Sequence, residues 1–305
     1  MNATSMSGRD WAILLGLSVL WGGSFFFIEI GVRAIQPMTV VLIRVVIAAA
    51  ALWAFLLARR QPIALPKGAW PAFLLLAVLN NVLPFIAFAW GQTQIASGLA
   101  SILNATTPIW GVIVAHLFTK DERMTPGKIA GVLLGFGGVA VMIGADFLKE
   151  IGTELAAQLA CLGATLCYAL AGVWGRRFKA MGVDPATVST GQLTAAAVVM
   201  LPLVLLFEQP LRALSAPVEA WAALVALALF CTSFAYILYF RLIASAGATN
   251  ALLVTFLIPI TAILLGSLFL GETLEPRHFA GMALIGLGLA AIDGRLVRML
   301  LPAPQ

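Results

Sequence analysis

The sequence predicts an all-α integral membrane protein of ten transmembrane helices, arranged as two inverted-topology five-helix repeats. Three observations predict it. Of the 305 residues, 62% are hydrophobic and only 10% are charged, whereas a soluble domain carries about 25% charged residues. Apolar runs recur along the chain at the length of about 20 residues that crosses a bilayer. Two widely separated segments also carry the same residues at the same spacing. With so few charges, no soluble fold of this length could cover its core.

The runs lie near 11–31, 38–58, 69–91, 95–118, 126–145, 154–175, 186–207, 219–241, 248–270 and 277–293. Met1 to Gly8 is short and polar, and the run that follows it is long, so it reads as a retained span and not as a signal-peptide core. Turn-forming and charged residues separate the runs, among them Arg59-Arg60-Gln61-Pro62, Asp121-Glu122-Arg123, Asp184-Pro185, Glu208-Gln209-Pro210 and Gly271-Glu272. The shortest separation is Gly91-Gln92-Thr93-Gln94, which must reverse the chain almost at once. Cys161, Cys167 and Cys231 all fall inside apolar runs and read as small buried hydrophobes.

The net charge of +5 does not form a basic face for nucleic acid, because the basic residues stand in short clusters between apolar runs. They read as topology signals. With the N-terminus in the cytoplasm, most of the eighteen Lys and Arg residues fall on the cytoplasmic side, Arg9, Arg59, Arg60, Arg176, Arg177 and Lys179 among them. Acids such as Asp146, Glu154, Glu208, Glu219 and Glu272 fall outside. An even span count returns the C-terminus to the cytoplasm. Trp11, Trp70, Trp90, Trp174 and Trp221 lie near span ends, as an interfacial belt requires. Trp21, Trp53 and Trp110 lie deeper.

Glu122, Pro126, Ala130 and Gly131 reappear as Glu272, Pro276, Ala280 and Gly281, each Glu following a mid-span proline, Pro108 or Pro259. Ala96-Ser97-Gly98 matches Ser245-Ala246-Gly247, and Phe85 lines up with Phe234. The expected units are 1–148 and 149–305. Each holds five spans, an odd number, so the second enters the membrane from the opposite side. Inverted repeats of this kind underlie alternating access in secondary transporters.

The run Leu20-Trp21-Gly22-Gly23-Ser24-Phe25, the intramembrane Arg44 and the two Pro…Glu-x-x-x-Pro-x-x-x-Ala-Gly blocks resemble the drug/metabolite transporter superfamily, in particular its EamA family. The resemblance spans residues 10–293. It implies ten helices in two inverted halves and export of small metabolites, often amino acids. The aromatic content points, within that family, towards the bacterial aromatic amino acid exporters and the inner membrane.

Polar side chains are costly in hydrocarbon, so their depth is informative. On this ground the candidate substrate-binding residues are Trp21, Ser24, Asn80, Asn81, Phe85, Asn104, Thr107, Tyr168, Thr232, Tyr236, Asn250 and Thr255, from spans 1, 3, 4, 6, 8 and 9. The bland alternatives are helix back-bonding for Ser and Thr and helix–helix adhesion for Asn. Pro108 and Pro259 are candidate hinges at corresponding positions. Glu29 and Arg44 form a candidate outer gate, a carboxylate-binding group, or a structural ion pair. Gly127, Gly131 and Gly135 on span five, with Gly281 and Gly288 on span ten, suit close helix packing.

There is no nucleotide-binding Gly-x-x-x-x-Gly-Lys-Ser/Thr run, and His116 and His278 are far apart, so neither ATP hydrolysis nor a metal or other cofactor is expected. No carboxylate lies at mid-depth in spans 3, 4, 6, 8 or 9, which favours facilitated diffusion or exchange over proton coupling. The alternatives are proton-coupled multidrug efflux, a channel, or a membrane-embedded enzyme. The expected partners are a small-molecule substrate and the bilayer, with the chain a monomer or weak dimer.

Overall fold

The computed structural model describes residues 7–60, 66, 68–119, 124–143, 153–246 and 254–293. They form ten long helical stretches, α1 (Gly8–Val32), α2 (Pro37–Ala58), α3 (Ala69–Gly91), α4 (Ser97–Phe118), α5 (Pro126–Ile143), α6 (Thr153–Ala180), α7 (Pro185–Phe207), α8 (218–246), α9 (254–270) and α10 (Pro276–Asp293), with a short 3-10 turn at Pro210–Ser215 between α7 and α8. Seven of these, α1 to α4 and α6 to α8, are long and apolar enough to cross a membrane. Helices α5 and α9 carry shorter apolar stretches, Pro126–Val141 and Leu257–Leu270. The expected boundary at 148/149, together with Glu122, Gly247 and Asn250, lies outside the described residues.

Polarity is distributed inside-out. Leu57, Leu117, Phe207, Leu268 and Phe269 point outward and are exposed, while Arg44, Asn81, Gln92, Ser101, Thr165 and Gln192 are buried. Water would reward the reverse arrangement. A hydrocarbon surround rewards this one, because it costs nothing to expose leucine and several kcal/mol to expose an unsatisfied polar group.

The ends of the helices follow from local chemistry. Ser7 and Asp10 form a capping box at the start of α1. Asp10 also accepts a 2.5 Å hydrogen bond from Ser245 Oγ at the end of α8. Helix α2 begins at Pro37, and its first N–H groups are satisfied from another helix. Glu208, just after α7, accepts from Met38 N at 2.9 Å, from Thr39 N at 2.7 Å and from Thr39 Oγ1 at 2.7 Å. In the same way Glu272, after α9, accepts from Ser97 N at 2.8 Å, Ser97 Oγ at 2.9 Å and Gly98 N at 3.1 Å at the head of α4. Gly182, at φ +69°, turns the chain out of α6 before Asp184 caps α7.

Each of these ties joins helix ends on the same side of the bundle. α1 starts where α8 stops, α2 starts where α7 stops, and α4 starts where α9 stops, so neighbouring helices alternate in direction. Helices α2 and α7 pack together, as do α4 with α9 and α5 with α10; α1 packs on α8 and α9, and α6 packs on α3 and α4. The glycines of α5 and α10 have the packing role their spacing predicts: a Cβ on Gly288 would sit 2.5 Å from the Gly131 carbonyl oxygen.

The deep tryptophans bind helices to one another. Trp53 Nε1 on α2 donates to Thr194 Oγ1 on α7 at 3.0 Å. Trp110 on α4 meets Phe136 on α5 edge-on, with ring centroids 5.1 Å apart.

Candidate functional site

Two helices carry a π-helical turn at mid-depth, and a third such turn ends α9 at Gly266–Leu270. In α3 residues Val78–Val82 form a π-helical turn, and in α8 residues Leu229–Phe234 do the same. A π-turn is costly and tends to mark a functional site. Pro84 follows the first of them and supplies no backbone N–H to the ladder. The two turns carry Asn80 and Asn81 on one side and Cys231, Thr232 and Ser233 on the other. Excess hydroxyl groups bond back across the widened turn: Thr232 Oγ1 donates to Leu227 O at 2.8 Å and Ser233 Oγ donates to Ala228 O at 2.9 Å.

Arg44 of α2 lies between them. Only 8% of its surface is exposed. Its Nε donates to Thr232 Oγ1 at 3.0 Å, and its guanidinium carbon stands 3.7 Å from the centre of the Phe85 ring. Tyr168, Tyr236 and Cys231 are the titratable groups that bear on its charge. All three are neutral at physiological pH by their ordinary values. Among the described residues no carboxylate neutralises it. A charge at the centre of a membrane helix costs about 2.5–3.5 kcal/mol on insertion scales. A ring face and a hydroxyl offset part of that cost.

Around the arginine stands a mixed amide and aromatic wall. Asn81, fully buried, donates from Nδ2 to Tyr236 Oη at 3.4 Å, and its Oδ1 has no partner. Asn80 Nδ2 donates to Gln192 Oε1 on α7 at 3.1 Å. Tyr168 of α6 lies parallel to Phe88 at 6.3 Å, and Phe88 meets Phe25 of α1 edge-on at 5.5 Å. Trp21 leans on Tyr239 at 5.2 Å.

Of the sequence-predicted residues, Arg44, Phe85, Asn81, Tyr168, Thr232 and Tyr236 converge on one centre, with Asn80 beside it and Trp21 on its flank. Others stand apart. Ser24 Oγ donates to Trp21 O at 2.5 Å, a back-bond within α1. Thr107 Oγ1 likewise donates to Asn104 O at 2.7 Å. Pro108 explains that second bond. Its ring disturbs the carbonyl four residues earlier, which is Asn104, and α4 breaks at Ala105–Thr106. Pro259 sits within a continuous helix, Val254–Leu265, so the two candidate hinges differ in form. Thr255 is half-buried near the start of α9.

Glu29 and Arg44 do not meet. Glu29, with 12% of its side chain exposed, pairs with Arg33 one turn along α1 at 3.1 Å, while Arg44 turns inward. Its other oxygen, Oε2, has no hydrogen-bond partner.

Two participants escaped the sequence reading. Gln192 lies deep inside the seventh apolar run, and the depth criterion that selected the asparagines would have found it. Gln92 reads as part of a tight turn, yet it is buried and its Nε2 donates to Phe25 O at 2.7 Å. No local signal distinguishes such a glutamine from a solvated one.

Comparisons with known proteins agree with this architecture. The model of the EamA-like transporter family matches in two stretches, residues 10–144 and 155–292. The uncharacterized inner membrane transporter YedA of Escherichia coli (strain K12) is 28% identical over 296 residues, covering 95% of this chain and 92% of its own. The uncharacterized transporter YoaV of Bacillus subtilis (strain 168) is 24% identical over 277 residues, covering 90% and 94% respectively. A crystal structure with 20% sequence identity superposes at a TM-score of 0.68 over 98% of this chain and 100% of that one, which shows a shared fold. An inside-out helical bundle whose polar centre joins helices from both ends of the sequence, matched by the family model over most of its length, belongs to the EamA-like transporter family of membrane transporters.

Proposed function

We propose that this protein exports small neutral or zwitterionic metabolites, foremost aromatic or other neutral amino acids, by alternating access around the central cluster. In this reading the ten helices form two inverted halves, 1–148 and 149–305, in a bacterial inner membrane with both termini cytoplasmic. Transport proceeds by facilitated diffusion or exchange.

The observation that carries the reading is the composition of the centre. Arg44, Asn81 and Phe85 come from one half and Tyr168, Thr232 and Tyr236 from the other, so a substrate held there touches both. The packing supports two opposed halves. Advancing every helix number by five converts the contacts of α1 with α8 and α9 into those of α6 with α3 and α4. The π-turns in α3 and α8 are related by the same shift.

The test is flux in proteoliposomes across a panel of amino acids and organic cations. Tyr168→Ala and Asn81→Ala are expected to lower exchange of the preferred amino acid at least about tenfold, the scale of one lost binding contact near 1.4 kcal/mol. If both leave all flux unchanged, the site assignment fails.

One observation favours a second reading, proton-coupled efflux: the half-satisfied Glu29 carboxylate within α1, whose Oε2 has no hydrogen-bond partner. The same vesicles with an imposed pH gradient separate the two. Accumulation driven by the gradient and abolished in Glu29→Gln would select proton coupling.

A further inference from the structure

Arg44 is a buried charge with a single side-chain hydrogen bond among the described residues. A guanidinium presents five N–H donors in a planar fork. Here Nε is taken by Thr232 at 3.0 Å, and the face is taken by Phe85. Among the described residues the two terminal nitrogens, with four donors, make no side-chain hydrogen bond of the kind Nε makes. Thr232 holds the group in place from its inner edge and is itself held by Leu227 O, so the outer edge of the fork is fixed in direction.

Two bland explanations of this arginine fail. A structural ion pair would need an acid, and Glu29, the acid in the outer part of α1, is engaged by Arg33. Snorkelling would carry the head group towards the interface, whereas Arg44 points to Thr232 and Phe85 within the bundle and is 92% buried (8% exposed). Its surroundings lack negative charge, and they match an incoming one. Arginine forks bind carboxylates through two parallel N–H···O bonds, and such charge-assisted pairs strengthen away from water. The guanidinium lies over Phe85, Tyr168 stacks on Phe88 in the same cluster, and Asn81 Oδ1 there has no hydrogen-bond partner.

We propose that Arg44 is the anchor for the carboxylate of the transported molecule, and that the substrate class is therefore organic acids and zwitterions bearing a free carboxylate beside an apolar or aromatic group. The inference rests on the central cluster being the substrate site. The Nη edge grips the carboxylate, the Phe85–Tyr168 wall covers the apolar group, and Asn81 Oδ1 accepts from an ammonium where the substrate has one. A molecule that lacks the carboxylate leaves a buried cation unpaired and is rejected, because an unmet buried charge penalises the wrong ligand more than a good contact rewards the right one.

The experiment is thermal unfolding of the purified full chain in detergent, for wild type, Arg44→Lys and Arg44→Met, with graded 3-phenylpropanoate, L-phenylalanine, 2-phenylethylamine or inorganic phosphate. The two carboxylates are expected to raise the wild-type midpoint in a dose-dependent way, and the amine and phosphate to leave it unmoved. Arg44→Met is expected to weaken the carboxylate response at least about thirtyfold in apparent affinity, as loss of one partner of a buried charge pair does. Arg44→Lys keeps the charge without the two-donor edge and falls between. In the absence of ligand, Arg44→Met is expected to unfold no earlier than wild type, because it removes an uncompensated charge.

An Arg44→Met protein that melts well below wild type makes the arginine structural and overturns the proposal. So does a wild type indifferent to both carboxylates, or one stabilised equally by the amine or by phosphate. The transport reading fails separately: a protein that exchanges 2-phenylethylamine in vesicles but ignores carboxylates remains a transporter without this anchor. One that binds carboxylates through Arg44 yet moves no panel compound keeps the anchor and loses the transport assignment.

Discussion

Side chains at opposite ends of the sequence reach across the bundle to complete one another's backbone. Glu208 is the clearest case. Its carboxylate accepts three hydrogen bonds at the head of α2, about 170 residues away in sequence (separations of 169 and 170). Lost helix caps cost about 0.5–2 kcal/mol. Glu208→Ala is therefore expected to lower stability by about that amount, read as a lower thermal midpoint in detergent, with Glu208→Gln intermediate because one oxygen remains to accept. The contrast with Arg44 is instructive. Glu208 meets every donor that faces it, whereas Arg44 is left with a free edge. The depth rule singled out both Arg44 and the asparagines from sequence. It could not say that Glu29 would turn to Arg33, since i,i+4 pairing within α1 and pairing with Arg44 across helices were equally open.

Among elements, the pair α5 and α10 is joined by glycine, and α3 meets α8 through the bond from Asn81 to Tyr236. Glycine lets the first pair approach until backbone meets backbone: a Cβ on Gly288 would fall 2.5 Å from Gly131 O and 2.8 Å from Gly135 N. Gly288→Leu is expected to cost about 1–3 kcal/mol or more, as overpacking does. Gly286→Leu, which meets open space within 4 Å, is expected to be nearly neutral. Parallel thermal unfolding of the two variants checks this. The glycine spacing was legible in the sequence, since it repeats at helical intervals. The π-turns were not. Val78–Val82 and Leu229–Phe234 are ordinary apolar-and-polar sequence with no proline or glycine inside them. They pack against α2, α6 and α7, and the hydroxyl back-bonds that accompany the second turn are visible only once the helix is built. The hinge candidates show the same limit: Pro108 breaks α4 and Pro259 leaves its helix intact, although each precedes a Glu-x-x-x-Pro-x-x-x-Ala-Gly block by nearly the same distance in sequence.

At the scale of the molecule, alternation of direction puts the starts of α1 and α3 and the ends of α2 and α8 on one side, and the starts of α2 and α4 on the other. The Lys and Arg distribution predicts that the first side is cytoplasmic. Single cysteines at Arg59 and Arg212, both exposed, test it in a background with Cys161, Cys167 and Cys231 replaced. An impermeant thiol reagent is expected to label Arg212→Cys in intact cells and Arg59→Cys only after permeabilisation; the opposite pattern inverts the topology.

The sequence by itself determined the environment, the helical class and the ends of most helices, because hydropathy, charge placement and turn residues act locally and sum over a whole span. It also determined which residues were out of place in hydrocarbon. Only the tertiary structure decided how they are answered: that Arg44 meets Thr232 and Phe85 and no acid, that Gln92 and Gln192 belong to the interior, and that Glu208 and Glu272 cap helices far away in the chain. Each is a contact between segments about 40 or more residues apart (the shortest separation, Arg44 to Phe85, is 41), and such a contact depends on which helices become neighbours. That choice is made by the packing of the entire bundle.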